Sequence, residues 1–151
     1  DHISLNAVRN EREIIKLLES QQVRDFMDSQ ASFSHGDLTL ENCILMDDKV
    51  YLIDPNCPDN IYSSWVMDIG KLYQSLHYSY EENFSGFKTN VDKEELFGHL
   101  YRKFNENFSR YFLLCEMIHY IRMIKYKPDD QKSLVRKRIQ DIFKEVKIVF
   151  R

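Results

Sequence analysis

Glycine and proline are scarce in this chain, with four and three residues in 151, which excludes collagen-like, linker-like and low-complexity architectures. Hydrophobic residues make up 43% and charged residues 30% of it, the balance of a compact, mostly helical domain long enough to bury one core. No stretch approaches eighteen uninterrupted apolar residues, so no membrane span is expected. The start, Asp1-His2-Ile3-Ser4, has neither the basic region nor the apolar region of a secretory leader. Cysteine is sparse too: Cys43, Cys57 and Cys115 show no CxxC spacing, which excludes a zinc ribbon and makes a poor disulfide framework. His2, His77, His99 and His119 lack HxxxH or HExxH spacing and read as surface or core residues. The expectation is a soluble, cytoplasmic protein with reduced thiols.

What is present is unevenly spread. Residues 121 to 151 hold ten Lys or Arg against four Asp or Glu, whereas residues 1 to 120 hold eleven against twenty. A basic end could meet phosphates or nucleic acid, but these cations share their segment with an apolar stripe, the pattern of a solvated face on a terminal helix. The stretch has no recognised nucleic-acid motif and no aromatic interleaving, so no nucleic acid partner is expected.

Periodicity predicts a first helix from Asn6 to about Gln22, continued or followed by a short second one to residue 30. Ala31-Ser32-Phe33-Ser34 breaks the pattern just ahead of His35-Gly36-Asp37. Two short runs, Cys43 to Met46 and Val50 to Ile53, flank the polar turn Asp47-Asp48-Lys49 and read as a hairpin. A turn-rich loop from Pro55 to Ser64 follows, then a helix from Trp65 to about His77 with Trp65, Ile69, Leu72, Tyr73 and Leu76 on one face. Residues 81 to 92 read as a loop. From Lys93 the chain is expected to be helical to its end, broken at Pro128, with Phe112 to Ile118 in a buried helix and Val135 to Val149 in an amphipathic one.

The polar residues around the hairpin carry the chemistry. In Ser34-His35-Gly36-Asp37-Leu38-Thr39-Leu40-Glu41-Asn42 an aspartate in a loop is followed five residues later by an amide, and Asp54 closes the second strand. Phosphoryl transfer from ATP needs a carboxylate that orients and deprotonates the acceptor hydroxyl, and hard oxygen ligands that hold Mg²⁺ on the phosphates. Asp37 suits the first role, Asn42 and Asp54 the second. Each residue alone has an ordinary reading, as turn former or cap; their joint spacing favours the site.

His-x-Asp-Leu-x-x-x-Asn is the catalytic-loop pattern of protein kinases, with Gly36 in place of the arginine. His35-Gly36-Asp37-Leu38 with Asn42 and Ile53-Asp54 resembles more closely the aminoglycoside phosphotransferase, choline kinase and homoserine kinase superfamily. Asp68-Ile69-Gly70 also looks like its Asp that opens a helix after the metal loop. The resemblance spans about Ser34 to Leu76 and implies a protein-kinase-like carboxyl-terminal lobe, mostly α with a small β-hairpin, acting with Mg²⁺ and ATP on a hydroxyl of a small molecule. It implies that Asp37 is catalytic, that Asn42 and Asp54 bind metal and cofactor, and that His35 and Asp68 brace the catalytic loop. Thr39, where many aminoglycoside kinases have His, and Pro55-Asn56, where protein kinases have Phe-Gly, bear on substrate class. The run from Ile53 to His77 also looks like bacterial capsule or surface-sugar phosphotransferases of this superfamily.

An ATP kinase also needs a glycine-rich loop over the phosphates and a strand lysine. Residues 1 to 33 contain no glycine and no strand-like run. The 151 residues therefore read as one domain, a catalytic lobe whose amino-terminal ATP-clamping lobe is missing. The competing reading is a non-catalytic kinase-like binding or scaffold domain.

Overall fold

A computed structural model describes residues 8–56, 64–104 and 106–150. The expected helix start at Asn6 and the loop residues 57–63, with Cys57 and Tyr62, lie outside the described residues, as does His2. The chain forms seven helices among the described residues, α1 (Glu11–Leu18), α2 (Gln21–Ser29), α3 (Trp65–Tyr78), α4 (Tyr80–Phe84), α5 (Lys93–Lys103), α6 (Glu106–Met123) and α7 (Asp129–Val149). One antiparallel hairpin, β1 (Cys43–Met46) and β2 (Lys49–Leu52), is set between α2 and α3. No helix among the described residues is long and apolar enough to cross a membrane.

Local chemistry explains most boundaries. Ser20 ends the first helical run and starts the second, its hydroxyl accepting from the Val23 amide. Ser64 caps α3 by accepting from Val66, and Asp92 caps α5 by accepting from Glu95. Pro128 precedes α7, whose first turn carries Asp129 and Asp130 at the positive end of the helix dipole. In the hairpin, Asp47 and Asp48 both adopt left-handed backbone, at φ 51° and 59°, as a two-residue turn matched to strand twist requires. Cys43 pairs with Leu52 and Met46 with Lys49.

The core is built on α6. Phe112, Leu114, Cys115, Met117 and Tyr120 are fully buried between α3, which contributes Val66 and Tyr73, and α7, which contributes Val135, Ile139, Ile142 and Val146. Gly70 sets the approach of α3 to α6: a Cβ there would stand 2.8 Å from the Cys115 carbonyl carbon and 2.9 Å from the Glu116 amide nitrogen. Two expectations are corrected. The segment from residue 81, read as loop, begins inside α4, where Glu81 is fully buried; five residues are too few to show a period. The helical run from Lys93 is also interrupted at Phe104, which turns to extended backbone between α5 and α6 with no proline or glycine to mark it.

Candidate functional site

The stretch from Ser34 to Thr39 is irregular backbone that ends in a single 3₁₀ turn, Leu40–Asn42, and α3 holds it from below. The tail of α2 is first tied to the head of α3: Ser64 Oγ donates to the Gln30 carbonyl at 2.9 Å, and the Trp65 amide donates to Ser32 Oγ at 2.8 Å. That joint brings the loop against the polar side of α3. Asp68 Oδ1 accepts from Ser34 Oγ at 2.9 Å and the Gly36 amide at 2.8 Å, while Oδ2 accepts from the His35 amide at 2.7 Å. One turn on, Lys71 Nζ lies 3.2 Å from Asp37 Oδ1. A further turn on, Ser75 Oγ accepts from the Leu40 amide at 3.3 Å, and Glu81 Oε1 accepts from the same amide at 3.0 Å. Ser75 also donates to Glu81 through a short hydrogen bond. Positions 68, 71 and 75 share one helix face, so α3 grips the loop at three successive points.

The hairpin holds the loop from the other side. The Ile53 amide donates to the Asn42 carbonyl at 3.0 Å, which extends the ladder beyond Cys43 and Leu52. His35 Nε2–H donates to the Ile53 carbonyl at 2.9 Å, and the Asn56 amide donates to the His35 carbonyl at 2.8 Å. Asp54 lies between these two attachments, in left-handed backbone at φ 52°. His35 thus anchors the segment carrying Asp54 as well as the loop carrying Asp37. Its Nδ1 is buried without a partner among the described residues.

Asp37 and Asn42 meet directly. Asn42 Nδ2 donates to the Asp37 carbonyl at 2.8 Å and lies 3.4 Å from Asp37 Oδ2. The Asp37 carboxylate therefore has one oxygen toward Asn42 and the other toward Lys71, and its side chain keeps 40% exposure, open enough for a solute to reach. Asn42 commits its nitrogen to Asp37, which turns its amide oxygen away from that carboxylate. Asn42 and the exposed Asp54 sit at the same end of the hairpin, each supplying a hard oxygen. Among the described residues no three His, Cys, Asp or Glu side chains form a cluster able to hold a metal ion unaided.

No family model, no curated protein and no solved structure matches this chain. The site therefore has to be read from its own groups. Sequence reasoning named Asp37, Asn42, Asp54, His35 and Asp68; it missed Lys71, Ser75, Tyr80 and Glu81. Lys71 and Ser75 left a signal, as polar residues three and seven positions after Asp68 and so on its face of the helix. Glu81 left none, since an acid in a polar stretch reads as solvated.

Electrostatics distinguishes the floor of the site from its mouth. Burial pushes the Tyr80 phenol up to about 12, helped by the charges of Asp37, Glu41 and Glu81. Lys71 Nζ stands over that ring, 4.7 Å from its centre. Beneath Lys71, His119 is pushed down to about 3 by burial and by the Lys71 charge. It is therefore neutral, its Nε2–H donating to the Met67 carbonyl at 2.9 Å.

Proposed function

We propose that this chain is the catalytic lobe of an ATP-dependent phosphotransferase that phosphorylates a hydroxyl of a small molecule. The observation that carries the reading is Asp37, an accessible carboxylate bonded to Asn42 and Lys71 on a loop that Asp68 fastens by three hydrogen bonds. The motif resemblance to aminoglycoside and choline kinases supports it. So does the hairpin: Leu45, Met46, Val50 and Leu52 are at least half exposed, an apolar surface suited to a second lobe and a nucleotide base.

In this reading Asp37 takes the proton of the acceptor hydroxyl as its oxygen bonds to the γ-phosphorus and the bond to the departing ADP oxygen breaks. Asn42 and Asp54 would hold Mg²⁺, which supplies charge neutralisation on the phosphate oxygens. Magnesium in such sites leans on one or two protein groups and completes its shell with phosphate and water, so a pair of oxygen donors fits. Asp68 and His35 keep the two halves of the site in register.

The test is Mg·ATP-dependent phosphorylation of a panel of hydroxyl acceptors by the protein made from the complete reading frame, with and without Asp37→Asn. A general base contributes roughly 10²- to 10⁴-fold, and turnover should fall by that order with nucleotide affinity and melting temperature nearly unchanged. Loss of stability without a specific loss of turnover would make the loop a scaffold and the chain a binding domain.

A further inference from the structure

The last turn of α3 sets a histidine against two acids. His77 Nδ1 lies 3.1 Å from Glu116 Oε2 on α6, and its Nε2 lies 3.8 Å from Glu145 Oε1 on α7. Its ring stacks on Tyr78, with centres 4.0 Å apart, and on Phe97 of α5 at 4.7 Å. Glu116 is fully buried, its Oε1 has no hydrogen-bond partner among the described residues, and His77 is the one basic group within ion-pair distance of it there. Glu145 is half-buried and also accepts from the Tyr78 hydroxyl at 3.3 Å. The other charges nearby are paired or further off. On α7, Asp141 is paired with Lys144 at 3.0 Å, and the Arg138 guanidinium stands over the Tyr78 ring at 4.3 Å. On α5, Lys93 and Glu94 line a cleft beside His77, but Lys93 is paired with Glu82 at 2.9 Å and Glu94 is exposed. The phenols of Tyr73, Tyr78 and Tyr120 are pushed up by burial and by the charge of Glu116, so they stay neutral.

A neutral imidazole has one N–H and one lone pair, whereas an imidazolium has two N–H groups. Both nitrogens of His77 face carboxylate oxygens, so the neutral ring turns a lone pair toward one of them and only the protonated ring meets each with a hydrogen. Ser75, which accepts from the Leu40 amide, lies two residues before His77, and the Ser79 bend that returns Glu81 to the same amide lies two residues after it. We propose that His77 is a proton-dependent tie: protonated, it binds the end of α3 to α6 and α7 through Glu116 and Glu145, and its deprotonation loosens that end and with it the hold on Leu40. Burial alone would lower the His77 pKa, but the bond to Glu116 and the charges of Glu116 and Glu145 outweigh burial and Arg138 and raise it above its ordinary 6.5. A raised basic group gives stability that is whole below 6.5 and is lost as pH climbs through the folded value. Glu116 is raised too, by burial first and then by Glu145, against His77 and Arg138, so its contribution is likewise lost and not gained as pH rises. His119, pushed down to about 3, has the opposite sign and acts below 6.5, which leaves the range above 6.5 to His77. The tie stands whether or not the loop it serves transfers phosphate.

Histidine ring resonances of the 151-residue chain, followed from about pH 5 to 9, read the proton directly. The His77 signal should titrate above the free-histidine value, and Glu116→Gln, which keeps size and an acceptor for Nδ1 but removes the charge, should lower its midpoint. Denaturation midpoints should fall as pH rises above 6.5, with the unfolding constant growing by up to about tenfold per pH unit for the one proton lost. His77→Gln should flatten that slope. Amide exchange, corrected for its intrinsic pH dependence, reads the loop. Protection at Leu40 should fall by up to about tenfold per pH unit across the same window, while Gly36, held by Asp68 nearer the start of α3, keeps its own. In His77→Gln the protection at Leu40 should no longer follow pH. A His77 midpoint at or below the free value, a slope above pH 6.5 that survives His77→Gln, or Leu40 and Gly36 losing protection in step would each overturn the proposal. The ring titration of the unaltered chain needs no variant, so it decides even where a substitution unfolds the protein.

Discussion

Phe112-Leu113-Leu114-Cys115 in α6 and Cys43-Ile44-Leu45-Met46 in β1 are comparably apolar stretches of four, yet one is sealed in the core and the other faces outward, with Leu45 75% exposed. The difference lies in what each can meet. A helix flanked by α3 and α7 covers every side of itself, whereas a two-stranded hairpin has two faces and cannot shield either alone. Apolar sequence therefore reports burial only where a second surface exists. The loop bearing Asp37 lies where these regions join, fastened to the packed bundle through Asp68 and to the bare hairpin through His35 and Asn42.

The sharpest way to probe the contrast is to damage both regions equally. Phe112→Ala in the bundle should cost about 3–5 kcal/mol, the transfer and cavity loss of a fully buried aromatic, read by chemical denaturation. At the join, Asp68→Asn removes one charged acceptor from the bonds to Ser34, His35 and Gly36 and should cost about 1–3 kcal/mol. Backbone amide exchange should then quicken at His35 and Gly36 while α6 stays protected. In the hairpin, Leu45→Lys should change stability by no more than about 0.5 kcal/mol, as for an exposed surface position. A large destabilisation by Leu45→Lys would break the comparison, since it would mean that the strand already has a covering within the chain.

Sequence read the join better than its surroundings. The hairpin was legible because a polar turn lies between two apolar runs with β-branched and aromatic residues, though Lys49, read as part of that turn, pairs with Met46 and the second strand ends at Leu52 and not at Ile53; α3 was legible by its apolar period. The split between α1 and α2 hangs on one serine, and that between α5 and α6 on a phenylalanine, so neither is marked by composition. Asp37, Asn42, Asp54 and Asp68 stand out because spacing alone relates them to a pattern. Glu81 comes to the loop from 41 positions beyond Leu40, brought there by packing, and buried charge is invisible to any rule that places charge in water.

The bend at Ser79 has a mechanical meaning. Ser79 ends α3 and begins α4 in left-handed backbone, at φ 50°. Along an unbroken helix, Ser75 and Glu81 would point about 120° apart around the axis, on different faces. The bend folds α4 back so that both side chains close on the Leu40 amide. The clasp is thus a property of one backbone angle as much as of two side chains: a chain keeping every polar residue of the site but letting α3 run straight through position 79 would hold Asp37 by its front half only.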